Sequence, residues 1–208
     1  MAIIGYTTFL ITSLLFIMSP GIDTIFILNI SIGQGRKSGV FATLGIATGV
    51  LVHTTFAAFG LSIILAQSAM AFNIVKYAGA AYLIYLGISK LLSSENVVQQ
   101  KEYTPLTSLK RTFVSAVLTN TLNPKVAIFF LAFFPQFIEP AYMQSAGPFI
   151  FLGTTYAIIG LIWFLMLTIF AGSFSHKLND NPSFSKLLNK FSAIAFIIMG
   201  VKIAFTKK

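Results

Sequence analysis

Apolar runs long enough to cross a bilayer recur along almost the whole chain, and that recurrence leaves very few folds open. A spanning helix needs about 20 predominantly apolar residues, and such segments lie at 4 to 32, 39 to 65, 70 to 92, 111 to 138, 146 to 172 and 187 to 206. The runs are continuously apolar, whereas barrel strands of about ten residues alternate between lipid and lumen, so helices are expected rather than a barrel. A hydrophobic content of 56% against 9% charged residues leaves little chain for a soluble domain. The expected fold is an all-α integral membrane protein with six transmembrane helices in a single domain, 1–208. The N-terminal MAIIGYTTFLITSLL lacks the basic start and short apolar core of a cleaved signal and is expected to stay as the first span.

The net charge of +9 would suggest nucleic acid in a soluble protein. Here the basic residues mark alternate connections: Arg36 and Lys37, then Lys90, Lys101, Lys110 and Arg111, then Lys177, Lys186 and Lys190. That is an orientation signal, which places these connections in the cytoplasm and both termini outside, and no nucleic-acid partner is expected. Lys202, Lys207 and Lys208 pull the other way, and a five-span arrangement with the N-terminus inside would accommodate them.

The polar linker 93–110 separates half one, 1–92, from half two, 111–208, with three spans each. Two homologous halves with an odd number of spans must cross the membrane in opposite senses, so two inverted three-helix repeats are expected. The halves share an interruption: MSPGID breaks the first span of one and TLNPKV the first span of the other. Discontinuous helices in matching positions point to a transport site near the bilayer midplane. Each break reads as a helix start, with Ser19 as N-cap before Pro20, and Asn123 as N-cap before Pro124. Free N–H groups near Gly21 and Asn123 would then face a shared space that suits an anion such as a carboxylate.

Asp23 and Lys125 follow the two breaks, and a charge at such depth costs about 2.5–3.5 kcal/mol on insertion scales unless it is paired or hydrated. Lys125 lies at the positive end of its helix, which calls for a negative partner, and Asp23 is the candidate. Asn120 and Asn123 could bond the freed backbone or a ligand. His53, at the centre of the second span, is either a structural donor or a proton relay with Asp23. Gly45 and Gly49 have the small-xxx-small spacing that allows close helix approach. The expected substrate-binding set is Ser19, Gly21, Asp23, Asn120, Asn123, Pro124 and Lys125, with Asp23 and His53 as proton-coupling groups.

Zero cysteines exclude disulfides, thiol chemistry and cysteine-ligated metal. No Walker loop, H-E-x-x-H or G-x-S-x-G is present, so ATP-driven, metalloprotease and serine-hydrolase readings lack their groups, and no cofactor or catalytic residue is expected. Only His53 and His176 supply imidazoles. A metal-cation exporter using Asp23 and His53 meets repulsion from Lys125, and an intramembrane enzyme acting on lipid finds no nucleophile and base at a supporting spacing. Aromatic runs such as IFFLAFFPQF are read as lipid-facing or packed between helices.

The segments SPGIDTIFILNISIGQGRKSGVFATLGIATGVLVHTTFAAFGL, VKYAGAAYLIYLGISKLL and FVSAVLTNTLNPKVAIFFLAFFPQFI together resemble the lysine-exporter superfamily, in its homoserine and threonine efflux branch. The resemblance covers nearly the full chain. It implies a multi-pass exporter of amino acids or close derivatives in the bacterial inner membrane, driven by the proton gradient, surrounded by lipid and compatible with a homodimer. Its polar signature falls on Ser19, Pro20, Gly21 and Asp23, and on Asn123, Pro124 and Lys125. Where the family pattern reads Pro-Gly-Pro-Asp, this chain has Ile22 in place of the second proline.

Overall fold

The computed structural model describes residues 2–61, 69–92, 108–173 and 182–205. Most of the expected linker, and His176, lie outside these residues. Among the described residues the chain is helical, without a β-strand; a lone antiparallel bridge joins Ile3 to Ile138. Helices α1 (Tyr6–Met18) and α2 (Ile22–Gly33) flank the first break, and α3 (Gly35–Phe56) continues into a π-helical turn, Ala57–Leu61. After α4 (Ala69–Leu92), helices α5 (Leu109–Thr121) and α6 (Pro124–Ile128) flank the second break. The α6 turn runs into a π turn at Phe129–Phe133 and a 3-10 turn at Phe134–Phe137. A short 3-10 turn, Pro140–Tyr142, leads to α7 (Ala146–Ile169), and α8 (Pro182–Phe205) ends the described chain.

By length and apolarity, two single helical stretches among the described residues can cross a bilayer, Gly35–Gly60 and Ala146–Ile169. The pairs α1/α2 and α5/α6 qualify when each is taken as one bent span, with bends of 54° and 48°. Helices α4 and α8 each have 24 residues, about 36 Å at 1.5 Å per residue. This is a multi-pass membrane protein.

Contacts give the helix directions. Gly153 meets Thr54, and Thr168 meets Thr43 through a 3.2 Å hydroxyl bond, so α3 and α7 run antiparallel. Gly87 abuts Ala193 and Ile197 while Gly200 abuts Ala80 and Ile84, so α4 and α8 are antiparallel too. By contrast α3 runs parallel to α5, with Gly45 against Ala116 and Gly49 against Asn120. Helix α7 runs parallel to α1: Tyr6 bonds Thr155 at 3.3 Å, and Ile17 reaches Gly160.

Small residues set these approaches. A Cβ on Gly45 would lie 2.5 Å from the Phe113 carbonyl oxygen and from the Ala116 methyl. One on Gly49 would lie 2.7 Å from the Asn120 side chain. The expected Gly45/Gly49 stripe therefore seats the helix that carries Asn120. The core beside it is aromatic: Phe129, Phe130, Phe133, Phe134 and Phe137 are buried between helices, with Phe16 4.2 Å from Phe129 between ring centroids.

Candidate functional site

Each helix break leaves unpaired backbone groups at two helix ends. At the first break, Ser19 is the C-cap of α1, its N–H bonded to the Leu15 carbonyl, and Gly21 is the N-cap of α2. The expected Ser19–Pro20 start is thus displaced by two residues, because Ser19 is still occupied in closing α1. Gly21 is extended and offers no side-chain cap; a Cβ there would lie 3.4 Å from Lys125 Nζ. The second break follows the expectation: Asn123 Oδ1 accepts from the Lys125 N–H at 3.0 Å, with Pro124 at the first helical position.

Lys125 finds its negative partner in backbone. Its Nζ donates to the carbonyls of Phe16 at 3.0 Å and Ser19 at 2.8 Å, two groups at the negative end of α1. The ammonium also lies 4.7 Å from the Phe16 ring centroid and 5.3 Å from that of Phe196, at cation–π distance. The sequence reading placed Asp23 in that role. The carbonyls of α1 are its hydrogen-bond acceptors, and Asp23 stands within electrostatic range of the same ammonium.

Asp23 is answered instead by Asn120, whose Nδ2 donates to Oδ2 at 2.8 Å. A carboxylate only accepts, so this bond fixes the orientation of the amide. The Asn123 side chain faces the same carboxylate. Asn120 is a junction: its carbonyl, near the end of α5, accepts the Asn123 N–H at 2.9 Å and meets His53 Nε2 at 3.1 Å. With a carbonyl opposite it, Nε2 is the protonated nitrogen and donates. His53 is thereby one residue removed from Asp23, positioned on Asn120 and packed against the Phe130 ring.

Ser19, Gly21, Asp23, Asn120, Asn123 and Lys125 line one cavity of about 20 Å³, which is room for about one water. Pro124 is absent from that lining and serves as the helix start. Asp23 Oδ1, Asn120 Oδ1 and Ser19 Oγ are buried there without a hydrogen-bond partner. Sequence reading missed the far wall: Tyr156, Gly160 and Phe164 of α7, and Ile46 and Val50 of α3. The one available signal was helical spacing, since 156, 160 and 164 recur every four residues on a single face. Among the described residues no three His, Cys, Asp or Glu side chains come together as a metal site would require.

The model of one family, described as LysE type translocator, matches residues 14–207 and so includes every residue that lines the cavity. The chain belongs to the LysE type translocator family. It is a transporter, not an enzyme. The membrane protein YrhP of Bacillus subtilis (strain 168) is 32% identical over 194 residues, 89% of this chain and 91% of that protein. The homoserine/homoserine lactone efflux protein of Salmonella typhimurium is 32% identical over 196 residues, 94% of each chain. The leucine efflux protein of Salmonella choleraesuis is 27% identical over 205 residues, 97% of this chain and 95% of that one. No solved structure matches significantly.

Proposed function

We propose that this LysE-type translocator is a secondary-active, proton-coupled exporter of amino acids in the bacterial inner membrane, working by alternating access around the cavity between the two helix breaks. The observation that carries the reading is the placement of Asp23 and Lys125. Each is the second helical residue after its break, and both line the same cavity. A zwitterion presents opposite charges close together. Its carboxylate would take Lys125 from the Phe16 and Ser19 carbonyls, and its ammonium, with three donors, would meet the buried acceptors Asp23 Oδ1, Asn120 Oδ1 and Ser19 Oγ. The efflux proteins for leucine and for homoserine among the relatives support an amino-acid substrate.

Six spans in two inverted halves suit the contact pattern. Helices α3 and α7 pair antiparallel, as do α4 and α8, and the parallel pairing of α3 with α5 has its counterpart in α7 with α1. That is the arrangement expected when equivalent helices cross in opposite senses. A cavity with room for about one water is too small for an amino acid, so the halves would have to rock apart to admit substrate. Proton uptake on Asp23 from outside would accompany substrate release, and its loss toward the cytoplasm would reset the carrier, with His53 acting through Asn120. Lipid contact and a homodimer complete this reading.

The test is efflux from loaded vesicles. Asp23→Asn and Lys125→Ala are each expected to lower export on the order of 100-fold, as misplacement of a substrate-positioning group does. Normal export by correctly inserted variants would overturn the mechanism. Export that continues unchanged after collapse of the pH gradient would remove the proton coupling.

A further inference from the structure

An open cleft of about 280 Å³ lies between α1, α7 and α8, lined by Leu15, Met18, Ser19, Trp163, Leu187, Phe191 and Ser192, of which Leu187 and Phe191 are 65% and 60% exposed. Its polar groups are few: two serines and the indole N–H of Trp163. Ser19 belongs to both this cleft and the first cavity. The first cavity holds the charges and has no room for a side chain; the cleft has room and almost no polarity. Ser19 Oγ is buried without a hydrogen-bond partner, so a polar group at the junction of the two spaces is left for a ligand.

We infer that this cleft is the side-chain pocket of the exporter, and that the substrates are amino acids with large apolar side chains, aliphatic or aromatic, rather than small hydroxylated ones. The inference rests on the amino-acid export reading above. Once the first cavity widens beyond the one-water space it has here, the zwitterionic head would sit between Asp23 and Lys125, the Cα beside Ser19, and the side chain between Leu15 and Trp163. A hydroxylated side chain entering this space would lose its hydrogen bonds to water and find few replacements. An apolar one would exchange water for carbon contacts.

Counterflow exchange in phosphatidylethanolamine–phosphatidylglycerol liposomes containing the purified protein tests this without any driving gradient. Leucine and phenylalanine are expected to exchange at least about ten-fold faster than alanine, homoserine and threonine, the scale on which an apolar pocket discriminates. Leu15→Trp, which fills the cleft, should lower the leucine-to-alanine ratio by about ten-fold. Trp163→Leu, which removes the indole wall, should lower the phenylalanine-to-alanine ratio. Exchange of homoserine and threonine but not leucine or phenylalanine would overturn the inference and leave amino-acid export standing. Ratios unchanged in both variants would overturn it as well, assigning the cleft to lipid. A wild-type protein that exchanges no amino acid would bring down the export reading and this inference with it.

Discussion

The two helix breaks occupy equivalent places in the chain and solve the same physical problem with different residues. After the first, Gly21, Ile22 and Asp23 open α2; after the second, Asn123, Pro124 and Lys125 open α6. The second start is capped by a side chain and pre-set by proline; the first has neither. The helix ends just before the breaks are answered across the molecule. Lys125, from the second half, donates to the carbonyl end of α1 in the first half, and His53, from the first half, donates to the carbonyl end of α5 in the second. The difference between the breaks is therefore one of sign and stiffness: an acid on the uncapped start, a base on the capped one. Such an arrangement would suit the two ends of the zwitterion proposed as substrate, which two identical breaks would not.

The largest effect should come from removing the cross-molecular link at the first break. Lys125→Met leaves the Phe16 and Ser19 carbonyls without their donor while keeping a side chain of similar length. Buried acceptors stranded in this way cost about 1–3 kcal/mol each. A lowered melting temperature in detergent, together with export reduced on the order of 100-fold, is expected. A variant as stable as the parent would show that the carbonyl end of α1 does not depend on Lys125.

Next comes the seat of the second break. Gly49→Ala drives a methyl to within 2.7 Å of the Asn120 side chain, and overpacking of this kind costs about 1–3 kcal/mol. Because Asn120 also holds Asp23 and meets His53, export should fall more than stability alone explains. Comparing transport per correctly folded molecule in Gly49→Ala with that in Gly60→Ala, where a Cβ would meet nothing, separates the two effects.

Much of this was legible in the sequence because membrane constraints are severe. A proline, a glycine and a charge inside an apolar run are costly enough that each marks a break, and Asn123-Pro124 reads as a helix start on local chemistry alone. The first break was misread by two residues: serine and proline favour a start, but α1 kept Ser19 as its C-cap, a choice made by where the preceding helix runs out of turns. The partner of Lys125 was missed because backbone carbonyls carry no mark in a sequence. A residue-level search for a negative group finds Asp23, which the Lys125 charge does reach, but not the end of α1 that takes its hydrogen bonds. Tyr156 and Phe164 were missed because aromatic residues on α7 look the same whether they face a cavity or lipid.

A smaller effect tests the caps directly. Asn123→Ala removes the bond from the Lys125 N–H and should cost about 1 kcal/mol, the usual value of an N-cap. Ser19→Ala at the first break has no cap bond to lose, and a change within about 0.5 kcal/mol is expected. Paired thermal unfolding of the two variants measures the asymmetry; equal losses would mean that Ser19 caps α2 after all.

The smallest effect has the opposite sign. Ile22 is the first residue of α2, where an N–H has no intrahelical partner, and its side chain is 53% exposed. Gly21 before it is extended, at φ −158° and ψ −168°, a conformation that a following proline accepts. Ile22→Pro should therefore fit without strain and fix the chain direction into α2, making the first break resemble the second. The gain should be about 0.4–1 kcal/mol, mostly through a less variable unfolded chain. A rise in melting temperature with export retained would show that the flexible start at Gly21–Ile22 is dispensable. A rise accompanied by slower export would show that transport uses it, which would make the uncapped break the moving one and the capped break its fixed counterpart.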